Sequence, residues 1–194
     1  ILDLDIRVIE LVITQLRLWL EKYPEDLIKP VSINISGKHF FNPKIYQAIT
    51  STLLKNKVPS YLLKVEITET ALIRNTLLTS NMINRLNAFG VTVMLDDFGT
   101  GYSALKYLSL FEVDTIKIDK SFINEINEVE ETERLIKVIL DLSHSLNLRT
   151  VAEGVETQDQ LDFLRKHGAD VIQGYYYSKP EIAYVIEKKY FGYK

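Results

Sequence analysis

Seven polar residues stand in or beside apolar runs of this 194-residue chain: Asn34, Glu66, Asp96, Asp97, Lys117, Glu153 and Gln173. Asp96 and Asp97 are adjacent at the end of VTVMLD, and Gly99 and Gly101 follow at once. Taking an unpaired carboxylate or ammonium out of water costs several kcal/mol, so such a set needs a joint explanation. The carboxylates and the amide oxygen of Asn34 are hard oxygen donors, suited to Mg²⁺ or Mn²⁺. Neither His nor Cys is among them, which argues against zinc. There are more acids than one cation needs. Two cations ~3.5–4 Å apart can clamp an in-line phosphoryl displacement and activate the attacking water. On this reading Asp96 bridges the cations and Asp97 serves the second. The glycines let the chain turn away beside a ligand. Lys117 either stays charged and holds a hydroxide or acts as a base with a lowered pKa; residue type does not choose between these.

The elements that must position this set follow from periodicity and punctuation. Residues 3–22 read as a helix with Leu4, Val8, Leu11, Val12, Gln15 and Trp19 on one stripe. Asn42 caps a second helix with Pro43 at its first position, and residues 75–89 form another that stops at Gly90. Further helices are expected at 103–110, 130–147 and 157–168. Strands are expected at 31–36, 63–68, 91–96, 115–119, 149–153 and 170–174. They read as apolar on both sides, as parallel strands covered by helices should. Alternation of strand and helix predicts βα units around a parallel sheet. All the polar residues above fall near the C-terminal ends of these strands, the rim on which barrel active sites are built. A closed (β/α)8 barrel has eight strands and typically ~250 residues, so this chain carries about six of them. An open doubly wound sheet is the alternative, but no glycine-rich nucleotide fingerprint follows the first strand.

Composition bounds the rest. The formal net charge of −3 predicts no general affinity for nucleic acid or an anionic membrane. There is no cysteine, so disulfides are excluded, and no run is apolar and uncharged enough to span a bilayer. The N-terminus does not resemble a signal peptide. The chain begins with Ile1 inside a helical pattern, so it reads as part of something longer. A single cytoplasmic domain over residues 1–194 is expected, with an upstream regulatory domain and no membrane contact from this segment.

The blocks SINIS at 32–36, EITET at 66–70, LDDFGTGYSALKYL at 95–108, DTIKIDKSFI at 114–123, VAEGVET at 151–157 and QGYYYSKP at 173–180 occur in one order along the chain. In this the chain resembles the EAL-domain family of cyclic di-GMP phosphodiesterases. The resemblance implies a modified TIM barrel with one antiparallel strand, and cleavage of cyclic di-GMP to linear pGpG with two Mg²⁺ or Mn²⁺ ions. By resemblance Asn34, Glu66, Asp96, Asp97 and Glu153 match metal ligands, Glu153 counting also among the catalytic residues. Lys117 and Gln173 match residues that hold the catalytic water and order the site. Asp119 and Glu156 match positions near the substrate or supporting the site. Residues 98–104, with Phe98, Gly99, Thr100 and Gly101, match a loop that couples dimerisation to metal binding. Glu69 matches the glutamate that steadies it. The helix near Ser103 matches a dimer-forming element, which implies a homodimer. The Glu-Ala-Leu strand that names the family, with its metal-binding glutamate, is absent and is expected upstream of Ile1.

Bland readings compete at several positions. Asn34 could be a satisfied core amide, Glu66 and Glu69 rim salt-bridge partners, Asp96-Asp97 a turn opener, and Lys117 a structural ion-pair partner. Glu156 could simply support the helix after it. Glu128, Glu130, Glu131 and Glu133 read as a solvated first helical turn. Tyr175, Tyr176 and Tyr177 read mostly as packing, and Trp19 as core. Two other functions stay open. One is an EAL-type receptor or scaffold that holds cyclic di-GMP or a partner without cleaving it. The other is a different TIM-barrel enzyme using Mg²⁺ on an enolate.

Overall fold

The computed structural model describes residues 2–99, Leu108 and residues 111–192. Helix α1 spans Leu2–Lys22, β1 Val31–Asn34, α2 Pro43–Asn56, β2 Leu63–Thr68, α3 Glu69–Arg74, α4 Thr76–Phe89 and β3 Thr92–Phe98. There follow β4 Thr115–Ile118, α5 Lys120–Asn124, α6 Glu130–Ser145, β5 Arg149–Ala152, α7 Gln158–Lys166, β6 Val171–Ile172 and α8 Ala183–Ile186. Helix α8 widens into a π-helical turn over Glu187–Phe191. Among the described residues, the six strands form one sheet in the order β1-β2-β3-β4-β5-β6, every pair parallel.

That order decides the architecture. A doubly wound sheet reverses its strand order at a switch point; this sheet never does. With right-handed crossovers throughout, the helices fall on one face of the sheet and the other face becomes the inside of a half-barrel. The strands therefore alternate instead of being apolar on both sides. Ile33, Val65, Ile67, Val93, Leu95, Ile116, Ile118 and Ala152 belong to the continuous helix-side core. The intervening residues are Asn34, Lys64, Glu66, Thr68, Thr92, Asp96, Thr115, Lys117 and Arg149, and by the two-residue period they share the inner face. Met94 and Val151 are buried too, but on that inner face and outside the core cluster.

Local signals place the elements. The Asn42 side chain accepts from Lys44 N–H at 3.0 Å, with Pro43 in the first turn of α2. Thr157 and Gln160 form a capping box that starts α7. Gly90 ends α4 at φ +90°. The stripe expected on α1 is displaced. Ile9, Ile13, Leu16 and Trp19 are the buried positions, whereas Leu4 and Leu11 are 62% and 52% exposed. The helix is apolar over so much of its circumference that periodicity alone did not identify the packed face. Helices α3, α5 and α8 were not foreseen; each is short, and none completes two clear apolar periods. The helix expected at 103–110 lies outside the described residues, apart from Leu108.

Candidate functional site

Each site residue arrives at the rim by strand register. Asn34 is level with Glu66 across β1 and β2, and Thr68 is level with Asp96 across β2 and β3. Lys117 on β4 is level with Val151 on β5, two residues before Glu153. Between β3 and β4 the register slips: Leu95 pairs with Ile116, but Phe98 pairs with Ile118. Three steps on β3 match two on β4, so β3 carries one extra residue, a β-bulge. Asp97 sits in it at φ +54°, a left-handed conformation that aspartate tolerates better than most residues. In a regular strand adjacent side chains point to opposite faces. The bulge breaks that alternation and lets both aspartates serve one rim.

The centre is built around Lys117. Its Nζ donates to Glu66 Oε2, lies 3.0 Å from Asp96 Oδ1 and lies 2.5 Å from Glu153 Oε1. The Lys117 side chain is only 4% exposed. Burial disfavours its charged form, but the carboxylates of Glu153 and Glu66 outweigh this and hold its pKa above the ordinary lysine value. Burial pushes the Glu153 carboxyl up, and Asp96 and Glu66 add to that against the opposing Lys117. Asp97 is raised by burial and then by the neighbouring charges of Asp96 and Asp119. Asp119 is likewise pushed up by burial, but donors from Ser121 and Lys120 prevail and leave it lowered.

Two acid triads result. Glu66, Asp96 and Glu153 bring ligand atoms within 4.8 Å of one another, and so do Asp97, Asp119 and Glu153. Glu153 belongs to both. Glu153, not Asp96, is thus the residue common to both groups, and Asp119, expected near the substrate or in support, stands among the acids. Asp119 had a legible signal: it follows Lys117 by two residues, which puts both on the same face of the strand. The donors are oxygen throughout and stay net negative with Lys117 counted, so the residues present fit a hard divalent cation and not zinc.

The other expected residues take different places. Asn34 ends β1 exposed beside Glu66. Gln173 follows β6; its backbone bonds to Ala152 O and Val155 N tie it next to the end of β5, close to Glu153. A Cβ on Gly174 would stand 2.1 Å from Val155 O, so this close approach requires glycine. Glu156 is exposed and belongs to neither triad; its backbone N–H donates to Gln160 Oε1 at 2.8 Å at the start of α7. Glu69 is buried at the start of α3, and its Oε2 accepts from Gly99 N–H at 3.4 Å. Its Oε1 has no partner among the described residues. Phe98 is buried and ends β3, while Thr100 and Gly101 lie outside the described residues, as does most of the helix expected near Ser103. Tyr175, Tyr176 and Tyr177 are not packed away: they lie in a turn and are 54%, 38% and 48% exposed. Tyr175 and Gln173 border a cavity of about 330 Å³. Trp19 is core, as expected.

The EAL domain family model matches residues 1–180. The signaling protein YkoW of Bacillus subtilis is 37% identical over 180 residues, covering 93% of this chain and 22% of YkoW. The cyclic di-GMP phosphodiesterase PdeR of Escherichia coli is 34% identical over 179 residues, covering 92% of this chain and 27% of PdeR. The chain thus spans roughly a quarter of the length of these relatives. Among solved structures, the PaMucR phosphodiesterase in its c-di-GMP complex superposes with a TM-score of 0.89 at 32% identity. That superposition covers 95% of this chain and 74% of the other.

Proposed function

The chain belongs to the EAL-domain family, and on that premise we propose that it hydrolyses cyclic di-GMP to linear pGpG with the help of two Mg²⁺ or Mn²⁺ ions. The observation that carries this reading is the convergence of Glu66, Asp96 and Glu153 on one buried point at the rim, with Asp97 and Asp119 beside it. No structural requirement of a half-barrel calls for so many acids there, and their net charge favours cations. Relatives named as cyclic di-GMP phosphodiesterases support the substrate.

In this reading Asn34, Glu66, Asp96, Asp97 and Glu153 hold the cations. When bound, these supply charge stabilisation at the phosphate and make water a stronger nucleophile at neutral pH. Lys117 orients the attacking water from its buried position on β4. Gln173 orders the rim beside Glu153, and Asp119 supports Asp97. Water adds to one phosphorus in line, the bond from that phosphorus to O3′ breaks, and O3′ takes up a proton. One water is consumed, and the product carries a free 3′ hydroxyl and a 5′ phosphate. Glu69 steadies the exit of the chain at Gly99, and a homodimer formed next to that loop is part of the proposal. So is a cytoplasmic setting; no helix of the described residues is long and apolar enough to cross a membrane.

The test is incubation with cyclic di-GMP and Mg²⁺ or Mn²⁺, with and without chelator, followed by chromatography for pGpG. The assay is run on the chain and, where further sequence adjoins it, in that longer form. Metal-dependent pGpG, lost in Glu66→Ala and Asp96→Ala, is the expected result. Binding without product in a folded protein would instead make it a receptor.

A further inference from the structure

Lys117 Nζ rests on oxygens that a cation would need. It donates to Glu66 Oε2, lies 3.0 Å from Asp96 Oδ1 and 2.5 Å from Glu153 Oε1, and these residues are one of the two acid triads. An ammonium has three N–H donors and no acceptor, so it has a donor for each of the three carboxylates it approaches. Little bulk water reaches the cluster: the lysine side chain is 4% exposed and the acids 5%, 12% and 17%. Mg²⁺ approaches its oxygen ligands to about 2.0–2.1 Å. An ammonium at the middle of the triad and a cation at the same oxygens exclude each other by size and repel by charge.

We infer that Lys117 is a built-in counter-ion of the Glu66–Asp96–Glu153 triad, and that a divalent cation enters by exchanging with its ammonium, not by joining it. The inference rests on the reading that these acids hold metal. The lysine neutralises acids that would otherwise repel one another in a buried place. It also lowers the affinity that the acids alone would have. Exchange turns the ammonium away from the carboxylates, toward the rim where the proposed reaction needs a donor to its water. The rival arrangement uses the second oxygens, Glu66 Oε1, Asp96 Oδ2 and Glu153 Oε2, and leaves Lys117 where it is.

The experiment is Mn²⁺ binding, by calorimetry and by loss of the free-ion electron paramagnetic resonance signal, in wild type and Lys117→Met. Exchange predicts that the variant, checked by circular dichroism, binds Mn²⁺ about tenfold tighter or more, because a like charge has been removed. It also predicts a lower unfolding temperature for the variant without metal. Where Lys117→Met does not fold, wild type labelled with ¹³C at lysine Cε is titrated with Mg²⁺. The Lys117 signal, assigned from Lys117→Arg, should then move in step with Mg²⁺ uptake. Wild type that binds Mn²⁺ while the variant binds no tighter, or a Lys117 signal that ignores Mg²⁺, overturns exchange and leaves the metal reading standing. Wild type that takes up no Mn²⁺ overturns both.

Discussion

Asp97 on β3 and Glu153 at the end of β5 belong to strands separated by β4, yet their carboxylate oxygens stand within 4.8 Å of one another. The bulge at Asp97 and the inward curl of the half-barrel close that gap together. Glu153 also meets Glu66 and Asp96, so one side chain joins the two acid groups.

Glu153→Gln tests that junction. It keeps the shape and removes the charge common to both triads. Lys117 keeps Glu66 and Asp96, so the fold should persist. Several kcal/mol of charge stabilisation by metal would be compromised, which corresponds to a loss of turnover of ~10³-fold. Manganese binding should weaken together with turnover. A folded variant with unchanged affinity would remove Glu153 from the proposed ligands.

Gly99 leaves β3 at φ +97°, and an added Cβ would stand 2.9 Å from the Phe122 ring. Gly99→Ala should destabilise the protein by about 1–2 kcal/mol from the left-handed backbone alone, and more if Phe122 cannot yield. Urea denaturation measures this. The same substitution disturbs the N–H that Glu69 accepts, so Glu69→Gln and Gly99→Ala should give less than additive losses in a double-mutant cycle.

Asp170 anchors the start of β6. Its Oδ2 accepts from Thr150 N–H and Oγ1, each at 2.8 Å, and lies 3.4 Å from His144 Nε2. Burial would raise its carboxyl, but the Thr150 donors and His144 outweigh this and hold it below the ordinary 3.8. A carboxylate lowered by folding adds stability above its unfolded pKa and loses it as pH falls through the folded value. Asp170→Ala should therefore cost about 1–2 kcal/mol at pH 7. The difference from wild type should narrow below the ordinary value of 3.8. An unchanged difference at low pH would assign the effect to packing.

Glu187 ties the two ends of the described chain together. It accepts from Trp19 Nε1 at 3.1 Å, Lys22 Nζ at 2.5 Å and Tyr23 Oη at 3.1 Å, while Phe191 meets the Trp19 ring edge-on at 5.2 Å. Trp19 is the only tryptophan in the sequence, so its emission reports this contact directly. Glu187→Ala should shift the emission to longer wavelength and speed amide exchange over 183–191, with β2 to β4 still protected. No spectral change would mean that Phe191 alone keeps the helix in place.

Much of this protein was legible from residue order. Alternation of strand and helix, the cap at Asn42, the stop at Gly90 and the rim positions of Glu66, Asp96, Lys117 and Glu153 all follow from local periodicity and backbone chemistry, which act within a few residues. Three things did not. The packed face of α1 is chosen by what lies beneath it, and a helix with Leu4, Ile9, Leu11 and Ile13 offers more than one apolar face. The bulge that places Asp97 beside Asp96 exists only as a mismatch of register between β3 and β4, two strands joined by a long connection. The grip of Lys117 on Glu66, Asp96 and Glu153, and the double membership of Glu153, arise from the curl of a sheet whose order never reverses. Sequence determined which groups could reach the rim; the tertiary structure decided which of them touch, because distances between strands are set by register and curvature and not by spacing along the chain.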